Sequence, residues 1–124
     1  MDKKKILIVD DEEHILIMLQ NRLDNAGYAV VKATNGKDAI NLAKKEIPAL
    51  IICDVVMPDV DGGDVASALA DDPTTKNIPI IFLTAIIKKE EEKEKRLALG
   101  VRFIAKPFDS KELLREVDKL ISAH

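Results

Sequence analysis

Short, mainly apolar runs alternate with longer amphipathic stretches along most of this chain. The runs are rich in Ile, Val and Leu, which is the composition of strands buried on both faces of a parallel sheet. Five such runs occur, at residues 6–9, 29–33, 50–53, 80–83 and 103–105. The pattern therefore predicts five parallel strands, with room for a helix between each strand and the next.

Apolar residues at helical spacing predict four helices in the intervening segments and at the end of the chain. The positions that mark these four helices are Ile15, Leu16, Leu19 and Leu23; Ala39, Ile40 and Ala43; Val65, Ala66 and Leu69; and Leu113, Leu114, Val117, Leu120 and Ile121. Gly27 and Pro48 follow the first two helices as stop signals, and Pro73 follows the third. Ser110 is the expected N-cap of the last helix.

A further helix is predicted over residues 88–96, between the last two strands, although this segment is almost wholly charged. Opposite charges three or four residues apart, such as Glu90 with Lys93, support a helix by only about 0.2–0.5 kcal/mol per pair. Leu97 and Leu99 are its apolar anchors. Because it buries little, we expect this helix to be among the less stable parts of the protein.

Strict alternation of strands and helices with short connections implies right-handed crossovers and an open, doubly wound α/β sheet. The 124 residues suit one domain, which we place at residues 1–124. A net charge of -3 with mixed signs argues against a nucleic-acid partner. No run approaches the roughly 20 apolar residues of a membrane helix, so a cytoplasmic protein without membrane contact is expected.

Polar residues follow four of the five predicted strands, at the edge where such a sheet binds ligands. They are Asp10 and Asp11, Asp54, Thr84 and Lys106. Grouped carboxylates repel one another unless a cation shares them, and Mg²⁺ prefers such oxygen ligands while leaving room for phosphate oxygens. Because Lys106 adds a positive charge and Thr84 a donor, a phosphoryl group is the anion that would use all of these residues.

Each of these residues also has a simpler explanation when it is taken alone. For Asp10 and Asp11, capping of the next helix and metal binding carry equal weight. An isolated Thr84 more often ends a strand or caps a helix. Asp54 is harder to explain in this way, because an unpaired acid beside a core costs free energy. Cys53, just before it, is expected to be a small core residue and not a reactive thiol.

Four segments in order resemble the receiver domains of two-component response regulators. Residues 6–12 resemble that family's acidic pair after the first strand, and residues 54–62 resemble its phosphoacceptor loop. Leu83-Thr84-Ala85 resembles its hydroxyl-bearing step, and Lys106-Pro107-Phe108 its lysine followed by a cis proline. The resemblance covers nearly the whole chain. It implies a flavodoxin-like sheet in the order 2-1-3-4-5, flanked by five helices.

The resemblance also implies a chemistry for the predicted site. Asp54 would accept a phosphoryl group from a phosphohistidine of a sensor histidine kinase or phosphotransfer protein. Mg²⁺ would be held by Asp10, Asp11, Asp54 and the backbone carbonyl of Val56. This makes the chain a phosphoacceptor signalling domain and not an ordinary enzyme, because it catalyses only its own phosphorylation and dephosphorylation.

Other positions carry further roles by the same resemblance. Thr84 and Lys106 would contact the phosphoryl oxygens and favour the active form. Phe103, a core residue by default, matches the family's aromatic switch position. Val56 and Ile86 match the positions that tune hydrolysis, and because neither can position water, a long-lived phosphoryl group is expected. The signal would leave through the fourth and fifth helices and the fifth strand.

Three other functions are alternatives to that of a phosphorylated receiver. A haloacid-dehalogenase-like phosphotransferase needs a second acid two residues after its nucleophile, where this chain has Val56. A nucleotide- or flavin-binding module needs a glycine-rich turn after the first strand, where residues 10–13 are all acidic. An unphosphorylated, scaffold-type receiver stays open. Since no DNA-binding module follows the final helix, we expect either a single-domain regulator or a part of a longer protein.

Overall fold

The computed structural model describes residues 3–84 and 102–122. Five parallel strands form one sheet in the order β2-β1-β3-β4-β5, which confirms the predicted architecture and strand order. The strands are β1 (Lys5–Val9), β2 (Ala29–Ala33), β3 (Leu50–Asp54), β4 (Ile80–Thr84) and β5 (Arg102–Ala105). No end of a predicted strand is displaced by more than one residue.

Four helices lie within the described residues, one fewer than the five predicted for the whole chain. They are α1 (Glu13–Asn25), α2 (Gly36–Glu46), α3 (Gly62–Ala70) and α4 (Ser110–Ser122). The helix predicted over residues 88–96 lies outside the described residues, so α4 is the last of the predicted helices. None of the helices in the described part of the chain is long and apolar enough to cross a membrane.

The N-cap predicted for the last helix is wrong by one residue. Ser110 is already helical, and the residue before it, Asp109, accepts a hydrogen bond from the backbone N–H of Lys111 at 2.9 Å. Serine and aspartate are about equally good N-caps, because either side chain can accept a bond from the first free N–H groups. Two good caps in succession therefore left the sequence pattern ambiguous by one position.

The core consists of two layers, one on each face of the sheet. Alternate residues of each strand point to opposite faces, so that Val9, Cys53, Phe82 and Phe103 stand in register on one face. This face packs against α2 and α3, while α1 and α4 cover the other face. Cys53 is fully buried, as predicted, and burial together with the nearby Asp54 charge raises the pKa of its thiol.

Backbone hydrogen bonds continue past the carboxyl ends of three strands and hold the residue that follows each of them. The N–H groups of Asp10, Val55 and Lys106 donate to the carbonyls of Ala33, Leu83 and Thr84 at 3.2, 3.2 and 2.8 Å. Because the strands are parallel, these extensions all lie at one edge of the sheet. The residues that follow β1, β3 and β5 are therefore held against neighbouring strands.

Candidate functional site

Three aspartates converge at the carboxyl edge of the sheet, as the sequence predicts. One carboxylate oxygen each from Asp10, Asp11 and Asp54 lies within 4.8 Å of the others. Asp10 and Asp54 are buried, with 0% and 7% of their surface exposed, whereas Asp11 is exposed to solvent. Two carboxylates are thus withdrawn from water beside each other, an arrangement that costs free energy unless cations or hydrogen bonds compensate.

The Asp10 carboxylate has a partner on each of its oxygens. Oδ1 accepts the backbone N–H of Glu12 at 2.9 Å, just before α1, and Oδ2 accepts a hydrogen bond from the Lys106 ammonium at 3.1 Å. Glu12, the N-cap of α1, makes no side-chain capping bond. Asp10 therefore fixes the turn that leads into α1 and places its charge in the site, but it does not cap the helix, so the capping explanation for this residue is wrong.

Lys106 lies between the two buried acids. Its ammonium nitrogen is 3.1 Å from Asp10 Oδ2 and 3.7 Å from Asp54 Oδ1, and only 17% of its side chain is exposed. The Lys106–Pro107 peptide bond is cis, as the resemblance implies. Burial lowers the pKa of Lys106, but the hydrogen bond and charge of Asp10 and then the charge of Asp54 outweigh it, so the pKa is raised. The ammonium is therefore charged at neutral pH.

The negative charge of Asp54 is less well compensated than that of Asp10. Burial and then repulsion from Asp10 raise the pKa of its carboxyl group, against the opposing effects of Lys106 and of the Val56 backbone N–H. That N–H lies 3.4 Å from Asp54 Oδ1, a long hydrogen bond that leaves the carboxylate weakly held. The metal-free site therefore disfavours the ionised form of Asp54.

The donor set and its spacing fit Mg²⁺. Two oxygens on opposite sides of a magnesium ion lie roughly 4.2 Å apart, twice the usual metal–oxygen distance. Adjacent ligands of the ion lie closer still, and the three aspartate oxygens lie within 4.8 Å of one another, so small side-chain movements would bring all three within reach of one ion. Three carboxylates against the one ammonium of Lys106 also leave negative charge for a cation to neutralise. The predicted fourth ligand, the carbonyl of Val56, belongs to the residue whose N–H faces Asp54.

The other residues predicted for the site occupy different positions around it. Thr84 is buried at the end of β4, one position beyond Leu83, the residue paired with Asp54. Phe103 lies in the core, with its ring centre 5.2 Å from that of Phe82. Val56 is 54% exposed beside the site. Ile86, the second predicted tuning position, lies outside the described residues.

The sequence patterns missed how tightly the backbone packs behind Asp54. A Cβ atom added at Gly62 would lie 2.8 Å from the Asp54 carbonyl oxygen and 2.9 Å from Val55 Cα. Only glycine permits this approach, so the first residue of α3 rests directly against the backbone of Asp54 and Val55. The adjacent Gly63 is less crowded, since a Cβ there would meet only the end of one side chain, Asp61 Oδ1, in a tight contact at 3.3 Å.

A capping box closes the same loop. Asp61 Oδ1 accepts the backbone N–H of Asp64 at 2.9 Å, and Asp64 Oδ2 accepts the backbone N–H of Asp61 at 3.1 Å. These bonds support the start of α3, a helix for which no N-cap was predicted from the sequence. The spacing of the two acids, three residues apart, was the signal that would have found it.

Comparisons with known proteins agree with this geometry. The family model "Response regulator receiver domain" matches residues 6–118. The regulatory protein PhoP of Bacillus subtilis, which is named for alkaline phosphatase synthesis, is 39% identical over 121 residues, or 95% of this chain and 48% of PhoP. A red-algal relative, the probable transcriptional regulator ycf27 of Porphyridium aerugineum, is matched over 52% of its length. The chain thus spans about half the length of these curated relatives.

Two solved structures are similar to this chain over nearly their full lengths. The chemotaxis protein CheY4 of Vibrio cholerae has a TM-score of 0.85 and 32% identity, covering 96% of this chain and 99% of that one. The receiver domain of the sensor histidine kinase PA1611 of Pseudomonas aeruginosa has a TM-score of 0.87 and 27% identity, covering 98% and 99%. In that structure a magnesium ion is coordinated in the active-site cleft. From its sequence match and its fold, this chain belongs to the response regulator receiver domain family.

Proposed function

We propose that Asp54 is the phosphoacceptor of a two-component pathway. The observation that carries this proposal is the position of its carboxylate, buried beside Asp10 and 3.7 Å from the Lys106 ammonium. In the proposed step, an Asp54 oxygen attacks phosphorus on a phosphohistidine of a sensor histidine kinase or phosphotransfer protein. The new P–O bond forms as the P–N bond breaks, and the histidine leaves as a neutral imidazole after taking up a proton.

The residues around Asp54 have complementary roles in this proposal. Asp10, Asp11, Asp54 and the Val56 carbonyl would hold Mg²⁺, which when bound neutralises charge on the phosphoryl oxygens. Lys106 contributes a second positive charge within reach of the same carboxylate. Phosphorylation of the aspartate oxygen would redirect this ammonium from the carboxylate towards the phosphoryl group, which carries more charge.

The proposed output surface includes β5 and α4, together with residues 88–96. A guanidinium nitrogen of Arg102 on β5 lies 3.5 Å from Oε2 of Glu116 on α4. This ion pair joins the two described elements of the surface. A protein that binds there would distinguish the two states of the domain, and couplings between such sites are typically about 1–3 kcal/mol. We propose a protein partner for this surface and neither nucleic acid nor membrane.

Incubation of the protein with acetyl phosphate and Mg²⁺ tests the proposed function. We expect an intact-mass increase of one phosphoryl group per chain, and no increase when a chelator removes the metal. The reason is that the clustered carboxylates repel an anionic donor until a divalent cation shares them. Absence of any mass gain at saturating Mg²⁺ would instead favour a scaffold-type receiver.

The lifetime of the phosphoryl group is a further expected result. The apolar Val56 side chain is 54% exposed beside Asp54 and offers no hydrogen bond to an attacking water molecule. Val56→Asn should therefore shorten the half-life of the phosphorylated protein several-fold, as followed by intact mass after removal of the donor. Asp59→Asn, an amide introduced at an exposed position of the same loop, is the control. Equal half-lives in all three proteins would contradict the tuning role of Val56.

A further inference from the structure

The loop that follows Asp54 contacts the start of α2 through two residues, Gly36 and Val60. A Cβ atom built on Gly36 would lie 2.6 Å from Val60 Cγ1 and 2.8 Å from Val60 Cβ, and it would be nearer still to the Val60 carbonyl oxygen. Side chains do not approach so closely, so the absence of one at Gly36 is what allows Val60 to lie against the helix. Val60 is also packed against the core layer on that face of the sheet.

The two limbs of this loop are held in different ways. The first limb is fixed to the sheet, because the Val55 N–H donates to Leu83 and the Gly62 N–H donates to the Val55 carbonyl at 2.9 Å. On the second limb, Asp59 has a positive φ of 64°, at a bend in the chain just before Val60. The contact of Val60 with Gly36 therefore helps to set where this second limb lies.

This contact has a chemical consequence at the other end of the loop. Val56 directs its N–H to the Asp54 carboxylate at 3.4 Å, and its carbonyl is the predicted backbone ligand of the metal. The loop is closed by the hydrogen bond from Gly62 to Val55, so only six residues lie between these two, and we expect a shift of Val60 to change backbone angles as far as Val56. On the basis of the phosphoryl acceptance proposed above, we propose that Gly36 is a positioning residue, which places the Asp54 loop for Mg²⁺ binding through Val60.

Replacement of Gly36 by alanine tests this role. Alanine is the better helix former, so local propensity alone would make the change favourable. Because the new methyl group meets both backbone and side chain of Val60, a change of rotamer cannot relieve the contact, and the loop must shift. We expect Mg²⁺ to bind about tenfold more weakly, the loss typical when a residue that orients metal ligands is changed. The dissociation constant is measured by following amide NMR shifts, which also show that the variant is folded.

Two further variants separate positioning from general loss of stability. Leu23→Ala removes a fully buried side chain from the core layer on the opposite face of the sheet and should keep the wild-type Mg²⁺ affinity despite its lower stability. Val60→Ala weakens the same contact from the other side without a clash, and should weaken Mg²⁺ binding by about threefold. If Gly36→Ala does not fold, Val60→Ala carries the test.

The outcomes distinguish this inference from the proposed function. Normal Mg²⁺ binding and phosphorylation of the wild type, with wild-type affinity in both Gly36→Ala and Val60→Ala, would overturn the positioning role alone. An equal loss of affinity in Leu23→Ala would also overturn it, since the effect would then follow stability. Failure of the wild type itself to bind Mg²⁺ and accept a phosphoryl group would overturn the proposed function, and the positioning role with it.

Discussion

Asp54→Asn is expected to abolish phosphorylation by acetyl phosphate and, in metal-free buffer, to raise the stability of the fold. Asparagine has nearly the same shape but neither a nucleophilic carboxylate nor a charge. Burial and repulsion from Asp10 raise the pKa of Asp54 in the folded protein, so its ionised form opposes folding. The neutral amide removes that cost, and the free energy of unfolding at neutral pH should increase.

The sign of the pH dependence follows from the direction of the shift. A carboxyl group whose folded pKa lies above its ordinary value of 3.8 contributes stability that is fully present below that value. This contribution is lost as the pH rises through the raised folded pKa, because the folded state must then give up a proton that it binds more tightly than the unfolded state does. Asp54→Asn should lack this loss in urea denaturation series recorded across the same pH range in chelator.

Asp59→Asn is the matched control for both measurements. It makes the same chemical change in the same loop, at an exposed residue with a φ of 64°, a conformation that asparagine adopts as readily as aspartate. We expect wild-type labelling and wild-type pH dependence from this variant. A phosphoryl mass gain in Asp54→Asn would refute the assignment of the acceptor, whereas loss of labelling in both variants would point to the loop conformation instead.

The sheet and its polar edge were predictable from the sequence because both depend on residue type alone. Apolar runs such as residues 50–53 must be buried on both faces, and parallel strands bring whatever follows them to one edge. Asp54 and Lys106 follow two such runs, so their proximity required no detailed geometry. The structure adds the distances, which show that Lys106 lies closer to Asp10 than to Asp54.

Features that depend on close backbone approach were not predictable in the same way. Gly36 is the first residue of α2, and nothing in the local sequence pattern indicates that Val60, 24 positions later, lies against it. The structural role of a glycine depends on which atoms lie where its Cβ would be, and those atoms belong to segments that are distant in the sequence. The same limitation applies to Gly62 behind Asp54, whose motif was recognised although its contact was not.

Charge and packing act together at this edge of the sheet. Val60 packs closely on Gly36 and Gly62 on the Asp54 backbone, and the Asp54 carboxylate lies in surroundings that disfavour its charge. Such a group gains stability from any cation or covalent change that lowers the repulsion. The free energy that it costs to hold Asp54 beside Asp10 is therefore recovered in part when a cation such as Mg²⁺ binds, which favours binding of the metal.

Lys106→Met is expected to lower the free energy of unfolding in metal-free buffer by about 2 kcal/mol. Breaking a buried ion pair from one side costs about 3–5 kcal/mol, and we reduce this figure because Asp54 can take up a proton and 17% of the Lys106 side chain is solvated. Methionine keeps most of the volume, so that the measured loss in urea denaturation reports on the missing charge. Without the ammonium, none of the side chains that the structure describes at residues 3–84 and 102–122 forms an ion pair with Asp10 or Asp54 in place of Lys106.

Lys5→Met is the control, because it breaks an ion pair that is shorter but more exposed. Lys5 Nζ lies 2.8 Å from Glu46 Oε1, with 39% and 28% of the two side chains exposed. Its loss should cost much less than the loss of Lys106, since solvent screens the charges. Mg²⁺ should stabilise Lys106→Met more than it stabilises the wild type or Lys5→Met, because it then replaces the missing positive charge at the carboxylates. Equal destabilisation of the two variants, with equal responses to Mg²⁺, would show that Lys106 does not compensate the buried acids.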